Sequence, residues 1–432
     1  MAVKPGYKQT VAGVVPEDWE CTRISDVAKL ESGHTPSKRE PSYWNGSIPW
    51  VSLFDTEGLQ GKEIYVTAKM VTEEGINNSS ARILPKGTVV FSRTATVGKT
   101  TVMGCEMATS QDFANYICGP KLHNHFLVFL FRNMGRTWKS LMAGSIHNTI
   151  YMPVFKALQI ILPPLHEQRA IATALSDVDA LQGALERLLA KKRDLKQATM
   201  QQLLTGQTRL PGFYRSEREA FQKTDLGFIP SDWVLRQLGD LVDQSRSIRY
   251  GIVQPGKYDQ NGRYMIRGQD YSKGWVEPSE LFRVSAPIEE RYKNARVATG
   301  DLIITIVGAG TGHVEAIPKW LDGANLTQTT ARISIEANKA DSVFVKYMLR
   351  APVGTRQVSN YMKGAAQPGL NCGDINKFVV LLPPTLPEQT AIAAVLTDMD
   401  AELTVLERRL AKTRALKQGM MQELLTGRTR LV

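Results

Sequence analysis

Two 44-residue stretches, one mid-chain and one near its end, restrict the fold more than anything else in the sequence. Glu167–Leu210 reads EQRAIATALSDVDALQGALERLLAKKRDLKQATMQQLLTGQTRL, and Glu388–Leu431 reads EQTAIAAVLTDMDAELTVLERRLAKTRALKQGMMQELLTGRTRL. Aligned without gaps at an offset of 221, roughly 28 of the 44 positions are identical. A match of that length marks a duplicated structural unit. Shorter matches frame it. Thr10–Trp19 (TVAGVVPEDW) and Thr224–Trp233 (TDLGFIPSDW) share Thr, Gly, Pro, Asp and Trp in the same places. The flanks QIILPPLHEQ and VVLLPPTLPEQ lead into the repeats, with Gly144 and Gly364 each 19 residues before the first proline, Pro163 or Pro383. The chain reads twice as lead-in segment, variable domain, Pro-Pro turn and helix.

The repeats have helical periodicity. Ile171, Val178 and Leu185 recur at sevens, Ala174, Leu181, Leu188 and Leu195 fill the companion position, and Leu175 and Leu189 widen the stripe. The second copy has Ile392, Met399 and Leu406 beside Leu396, Leu403 and Leu410. Each helix is expected to start after its prolines and stop at Gly206 or Gly427, which suits a left-handed cap. A helix of about 38 residues is about 57 Å long at about 1.5 Å per residue. So wide a stripe needs a partner, most simply the other copy. One copy alone would read as a generic oligomerisation coiled coil; two, each following its own variable domain, favour a spacer. Packed antiparallel, the copies would be related by an approximate two-fold axis that inverts one variable domain relative to the other. Duplex DNA has local two-fold axes of the same kind, and about 57 Å covers between one and two turns at about 34 Å per turn.

Composition agrees with a DNA partner without requiring one. The 432 residues suggest two or three domains, 43% apolar and 22% charged residues describe a globular chain, and a formal charge of +11 favours a polyanion. No apolar run approaches the roughly 18–20 residues that span a bilayer. The first ten residues are polar and hold Lys4, Pro5 and Lys8, unlike a secretion signal, so a cytoplasmic location is expected. Cys21, Cys105, Cys118 and Cys372 are scattered without a CxxC pair and read as reduced thiols.

At LPPLHEQRAIA and LPPTLPEQTAIA, at the helix ends LLTGQTRLPGF (Leu203–Phe213) and LLTGRTRL (Leu424–Leu431), and at GVVPEDW and GFIPSDW, the chain resembles the specificity subunit of type I restriction–modification enzymes. The resemblance covers essentially the whole length and departs from the pattern in one extra residue at the second Pro-Pro turn. It implies an α+β fold with two strand-rich target-recognition domains and an antiparallel intramolecular coiled coil: residues 1–162 as the first domain with its lead-in, 163–210 as a helical spacer, 211–382 as the second domain, and 383–432 as the second spacer. It further implies a bipartite, asymmetric double-stranded DNA target, docking of two methyltransferase subunits, and nuclease/translocase subunits in a larger complex. No catalysis and no cofactor would belong to this chain; S-adenosylmethionine, ATP and Mg would serve the partners. Docking is assigned to Glu167, Gln168, Arg193, Lys196 and Gln201 and their copies Glu388, Gln389, Arg414, Lys417 and Gln422.

The variable stretches, 20–162 and 234–382, alternate apolar and polar residues between Gly/Pro turns, as strands do. They share two landmarks, PKGTVVFSR (Pro85–Arg93) with ATGDLIITI (Ala298–Ile306), and SQDFA (Ser110–Ala114) with TQTTA (Thr327–Ala331). Candidate DNA contacts in the first are His34, Thr35, Ser37, Lys38, Arg39, Arg93, Lys99, Gln111, His147 and Asn148. In the second, Arg249, Lys257, Arg263 and Arg267 interleave with Tyr250 and Tyr258, joined by Gln254, Gln269, Gln328, Gln367 and Asn371. Lys and Arg neutralise phosphates, Arg can bridge guanine, and Gln or Asn can bridge adenine. A solvated surface is the alternative for each, and Trp44, Trp50 and Trp275 read as packed.

Enzymatic readings fail on spacing. RTATVGKT (Arg93–Thr100) ends like a phosphate-binding loop but has Arg93 where the first glycine is needed. GAGTGH (Gly308–His313) is followed by VEAIPKW, which has no helical period, so a strand turn is expected there. His123 and His125 lack further ligands nearby in sequence, so no metal site is expected. Asp177, Asp179, Asp398 and Asp400 are assigned to the helix dipole or to docking. The rival reading is a coiled-coil assembly scaffold whose basic charge is incidental.

Overall fold

The computed structural model describes residues 4–10, 13–142, 148–213, 220–224, 227–362 and 369–431. The fold is α+β, in two compact units: Met1–Arg187 with Glu407–Val432, and Leu188–Leu406.

Both repeats are helices, Leu165–Leu204 and Leu386–Leu424, of 40 and 39 residues. Each follows its prolines closely, because proline lacks the N–H that an interior turn needs but is harmless before the first turn. Each is followed by a left-handed glycine, Gly206 at φ +69° and Gly427 at φ +70°. A Cβ at Gly427 would lie 2.5 Å from Pro16 Cδ, and one at Gly206 2.5 Å from Pro230 Cγ. Glycine thus stops the helix and lets the lead-in proline close against it.

In each unit a stretch of the first helix runs antiparallel to a stretch of the second. Arg414 meets Glu186 at 2.6 Å and Lys417 meets Asp179 at 2.5 Å in the first unit. In the second unit Lys192 meets Glu402 at 2.7 Å and Lys196 meets Asp400. Residue numbers fall on one helix as they rise on the other. The structure departs from expectation at two points. Asp179 and Asp400 lie about four turns into their helices, beyond the reach of the dipole, and tie one helix to the other instead. Burial opposes ionisation of Asp400, but hydrogen bonds from Lys196 and Tyr347 more than offset it and hold the carboxyl below its ordinary range. The heptad companions Leu181, Leu188 and Leu195 are 41%, 39% and 50% exposed, whereas Leu175, Leu185, Leu189, Leu396 and Leu410 are buried. Leu175 and Leu189 align with Leu396 and Leu410 on the row that packs, whereas Leu181 and Leu188 align with Glu402 and Arg409 and stand on a neighbouring, more exposed row.

In the first unit the main sheet has the order Glu63–Ile64, Thr100–Met103, Val89–Ser92, Phe113–Cys118, Ala28–Ser32. A smaller sheet joins Ala108–Thr109, Trp44–Val51 and Lys69–Val71. The main core gathers Val15 and Trp19 of the lead-in, Phe91, Tyr116, Phe126 and Phe131 of the domain, Ile171 and Leu175 of the first helix, and Leu424 of the second. The second unit repeats the plan. Its main sheet runs Arg249–Tyr250, Thr330–Ile333, Leu302–Thr305, Val314–Ala316, and its smaller sheet Phe282–Val284, Arg263–Ile266, Asn325–Leu326. Its core gathers Leu203 and Leu204, Ile229 and Trp233, Phe344, and Ile392 and Leu396.

Matched ion clusters lock the helix ends. Arg209, after the first helix, grips Glu388 at the start of the second with two bonds of 2.8 and 2.6 Å and reaches Asp232 at 2.9 Å. Arg430, after the second helix, grips Glu167 at 2.7 and 2.8 Å and Asp18 at 2.9 and 2.7 Å. Trp19 Nε1 adds a 2.9 Å bond to Glu167. A buried carboxylate stripped of its cation costs about 3–5 kcal/mol. The Arg209 and Glu388 side chains are 3% and 1% exposed, while Arg430 is 24% exposed. Arg209→Met is therefore expected to destabilise the second unit by about 3–5 kcal/mol, and Arg430→Met the first unit by less, because water reaches its site. Hydrogen exchange resolved by unit checks both the ordering and the localisation.

Candidate nucleic-acid interface

The landmarks shared by the variable stretches occupy the same places in both domains, and the same four backbone hydrogen bonds hold them together. In the first domain they are Ser110 N–H to Val51 O (2.9 Å), Arg93 N–H to Asp112 O (3.0 Å), Ile150 N–H to Arg93 O (2.9 Å) and His34 N–H to Thr109 O (2.9 Å). In the second they are Thr327 N–H to Ile266 O (3.1 Å), Ile306 N–H to Thr329 O (2.8 Å), Leu370 N–H to Ile306 O (2.8 Å) and Ile252 N–H to Leu326 O (2.6 Å). Each set draws five segments to one edge: 33–39, 52–54, 93–99, 110–112 and 148–151, or 251–257, 267–269, 306–313, 327–329 and 369–371.

Close approach explains the glycines at these edges. A Cβ at Gly33 would sit 2.2 Å from Ser110 O, and one at Gly251 1.8 Å from Leu326 O. The two glycine-containing motifs that mimic nucleotide loops are equivalent hairpin tips. Residues 93–99 join Val89–Ser92 to Thr100–Met103, and 306–313 join Leu302–Thr305 to Val314–Ala316.

Most of the expected contacts gather at these edges. His34, Ser37, Lys38, Arg39, Gln111 and Asn148 are exposed, and the Thr35 hydroxyl donates to Gln111 Oε1 at 2.6 Å. Arg93 is half-buried and ties its edge together, donating to Gln111 O and Ile150 O at 2.9 and 3.2 Å. Burial draws its guanidinium below the ordinary range, opposed by Asp112. Lys99 sits on the hairpin tip, partly buried. In the second domain Tyr250, Gln254, Gln269, Gln328 and Asn371 are exposed; Asn371 Oδ1 also caps a short helix by accepting from Asp374 N–H at 2.8 Å. Others lie against the smaller sheet. Arg263 pairs with Glu289 at 3.4 Å, Arg267 with Asp270 at 2.8 Å, and Tyr258 meets Phe282 edge-on, next to exposed Lys257. Arg249 opens onto a separate cationic cavity. His147 and Gln367 lie outside the described residues. Sequence reasoning missed Phe54, 76% exposed at the position matching Gln269; the match is legible only from the common Ser52–Asp55 and Arg267–Asp270 turns, in which the aspartate accepts the first residue's N–H at 2.8 Å.

A family model for the type I restriction modification DNA specificity domain matches residues 16–196 and 230–413. The chain belongs to this family. It is similar to the MjaIX specificity subunit of Methanocaldococcus jannaschii, 25% identical over 385 residues that cover 88% of this chain and 86% of the relative. The MjaVIII specificity subunit of the same organism is 24% identical over 431 residues, covering 96% and 94%. The Escherichia coli EcoKI specificity subunit is 23% identical over 437 residues, covering 96% and 89%. Among solved structures, the S subunit of a type I system from M. genitalium has the same fold, with a TM-score of 0.59 at 12% identity over 98% of both chains.

In this specificity chain the ten docking candidates fall into three groups. Glu167, Gln168, Glu388 and Gln389 are buried. Gln168 donates to Lys121 O and Pro163 O and accepts from His123 N–H, while Gln389 accepts from Asp341 N–H, so the Glu-Gln pair anchors each domain to its helix. Lys196, Arg414 and Lys417 bridge the helices. Arg193, Gln201 and Gln422 are exposed. His125 Nε2 lies 3.3 Å from Glu63, and burial draws both His125 and His123 below the ordinary imidazole range. No helix among the described residues is long and apolar enough to cross a membrane.

Gly251→Ala is expected to force the 251–252 segment off the 327 turn. Hydrogen exchange at the Gln328 amide, which donates to Ile252 O at 2.9 Å, should speed up while the Gly33 edge keeps its protection. Unchanged exchange at Gln328 would contradict the close approach.

Proposed function

We propose that this chain is the non-catalytic specificity subunit of a type I restriction–modification complex, reading a bipartite, asymmetric DNA target with one half per domain. The observation that carries this reading is the pair of edges built on one backbone frame but bearing different side chains. Exposed Phe54 stands opposite exposed Gln269, and exposed His34 stands where the second domain buries Ile252, and edges that differ in charge and hydrogen bonding select different bases. The helices set the gap between the half-sites. Their exposed rows, Leu181, Leu188 and Leu195 on one and Val405 and Leu416 on the other, offer apolar surface to two methyltransferase subunits, with Arg193, Gln201 and Gln422 as polar contacts beside them. Nuclease/translocase subunits complete the assembly. Methyl transfer with S-adenosylmethionine and cleavage with ATP and Mg belong to those partners, and the complex works in the cytoplasm.

Methylome sequencing of a host carrying this chain with its methyltransferase tests the reading. One heptad inserted into the first helix adds about 10 Å, or about three base pairs at about 3.4 Å each, so the gap should lengthen with both half-sites unchanged. An altered half-site would overturn the spacer role, and a methylation pattern without sequence preference would favour the scaffold. Gln111→Ala should relax one position in one half-site and Gln328→Ala one in the other, each by about 1–3 kcal/mol of discrimination.

A further inference from the structure

We propose that the second recognition domain contains a phosphate-binding pocket, filled by a backbone phosphodiester of duplex DNA beside the bases that this domain reads. It rests on the reading above that the domain faces DNA. A cavity of about 670 Å³ is lined by Arg246, Arg249, Lys293, Arg296 and Arg332, together with Ser, Asn, Val and Ala but no acidic residue.

Three of these cations are neutralised from behind the wall. Arg246 grips Asp301 at 2.9 and 2.6 Å, Arg296 grips Glu289 at 2.7 and 2.6 Å, and Lys293 pairs with Glu290 at 2.9 Å. Arg249 and Arg332 have no carboxylate within ion-pair distance among the described residues. Arg332 is 4% exposed. Its terminal nitrogens donate to the carbonyls of Asn294, Arg296 and Ser247 at 2.9, 2.6 and 3.3 Å, and its buried Nε has no hydrogen-bond partner. Burial, then the nearby Arg246, draws its guanidinium below the ordinary range.

Arg249 and Arg332 are also direct cross-strand neighbours. Like charges in that position repel and destabilise a sheet, and an anion between them turns the repulsion into a clamp. The first domain shows the contrast. There the same ladder position pairs Glu31 with Asn115, and the Glu31 carboxylate is met by Lys29 at 2.7 Å and by Arg82. The first domain fills this place with its own carboxylate, whereas the second leaves it to an anion from outside.

Position and chemistry favour phosphodiester. Arg332 lies four residues beyond Gln328, past the turn closed by Thr330 N–H on Thr327 O, and so at most about 14 Å away, on the scale of the roughly 12 Å width of the major groove. A base contact at Gln328 would therefore leave a flanking phosphate near the pocket. Guanidinium forks match phosphate oxygens in pairs, and buried arginine remains charged.

Arg249 is exposed, so replacing it spares the fold. With the chain assembled on its methyltransferase, dissociation constants are measured across salt for a target duplex and a scrambled duplex of equal length. Arg249→Gln should weaken both by about fivefold near physiological salt and lower the slope of log K against log salt by about one. Arg249→Lys should keep the slope, since the point charge survives. Unchanged affinity and slope in Arg249→Gln overturn the proposal. Loss on the target duplex alone overturns it too, because Arg249 then reads a base, and so does weakened methyltransferase assembly with intact DNA affinity, which assigns the pocket to an acidic protein group. If the unaltered complex fails to separate the two duplexes, the bipartite reading falls, and the salt slopes still decide the pocket.

Discussion

A buried glutamate at the start of each long helix, met by an arginine just beyond the end of the other, is the contact on which the two units depend. Glu167 with Arg430 and Asp18, and Glu388 with Arg209 and Asp232, each join three separate parts of the chain. Moving a carboxylate out of water is costly unless a cation and good hydrogen bonds replace the lost solvation. The guanidinium fork does this in each unit. Next to each fork, a glycine of positive φ lets a proline of the lead-in segment approach the helix end, and a tryptophan fills the space beside it.

This contact accounts for much of what the two copies share. The Glu-Gln pair, the TGxTRL ending and the Pro-x-Asp-Trp lead-in, far apart in the sequence, meet at these clusters. They are alike because each must complete the same cluster in its own unit. The amphipathic middles of the helices are freer, and there Leu181 faces Glu402 in the alignment and Leu188 faces Arg409.

Elements set by local chemistry were legible in the sequence. The prolines and glycines fixed the helix limits to within a residue or two, and the shared landmarks located matching strands and turns in the variable domains. What depends on a returning chain was not legible. Glu167, Gln168, Glu388 and Gln389 were assigned to docking, and nothing local indicates that a lead-in segment and the far end of another helix will enclose them. Leu181, Leu188 and Leu195 read as a packed row because seven-residue spacing alone does not say which of two adjacent apolar rows meets the partner. Arg93–Thr100 and Gly308–His313 were weighed separately as failed nucleotide loops, although their equivalence as hairpin tips follows from the strands around them. The cationic cavity was beyond sequence reasoning, since its arginines come from three distant segments.

The structure separates a common frame from variable side chains: clusters, helices and the four backbone bonds repeat, while the groups presented at the two edges differ. On the proposed reading, each domain carries its half of the target independently. Replacing residues 234–382 with the first domain's residues 20–162 and mapping DNA methylation tests this most directly. A symmetric target is expected, with the first half-site in both arms, in inverted orientation. A second half-site that persists in the chimera, or a target unrelated to the first half-site, would contradict it.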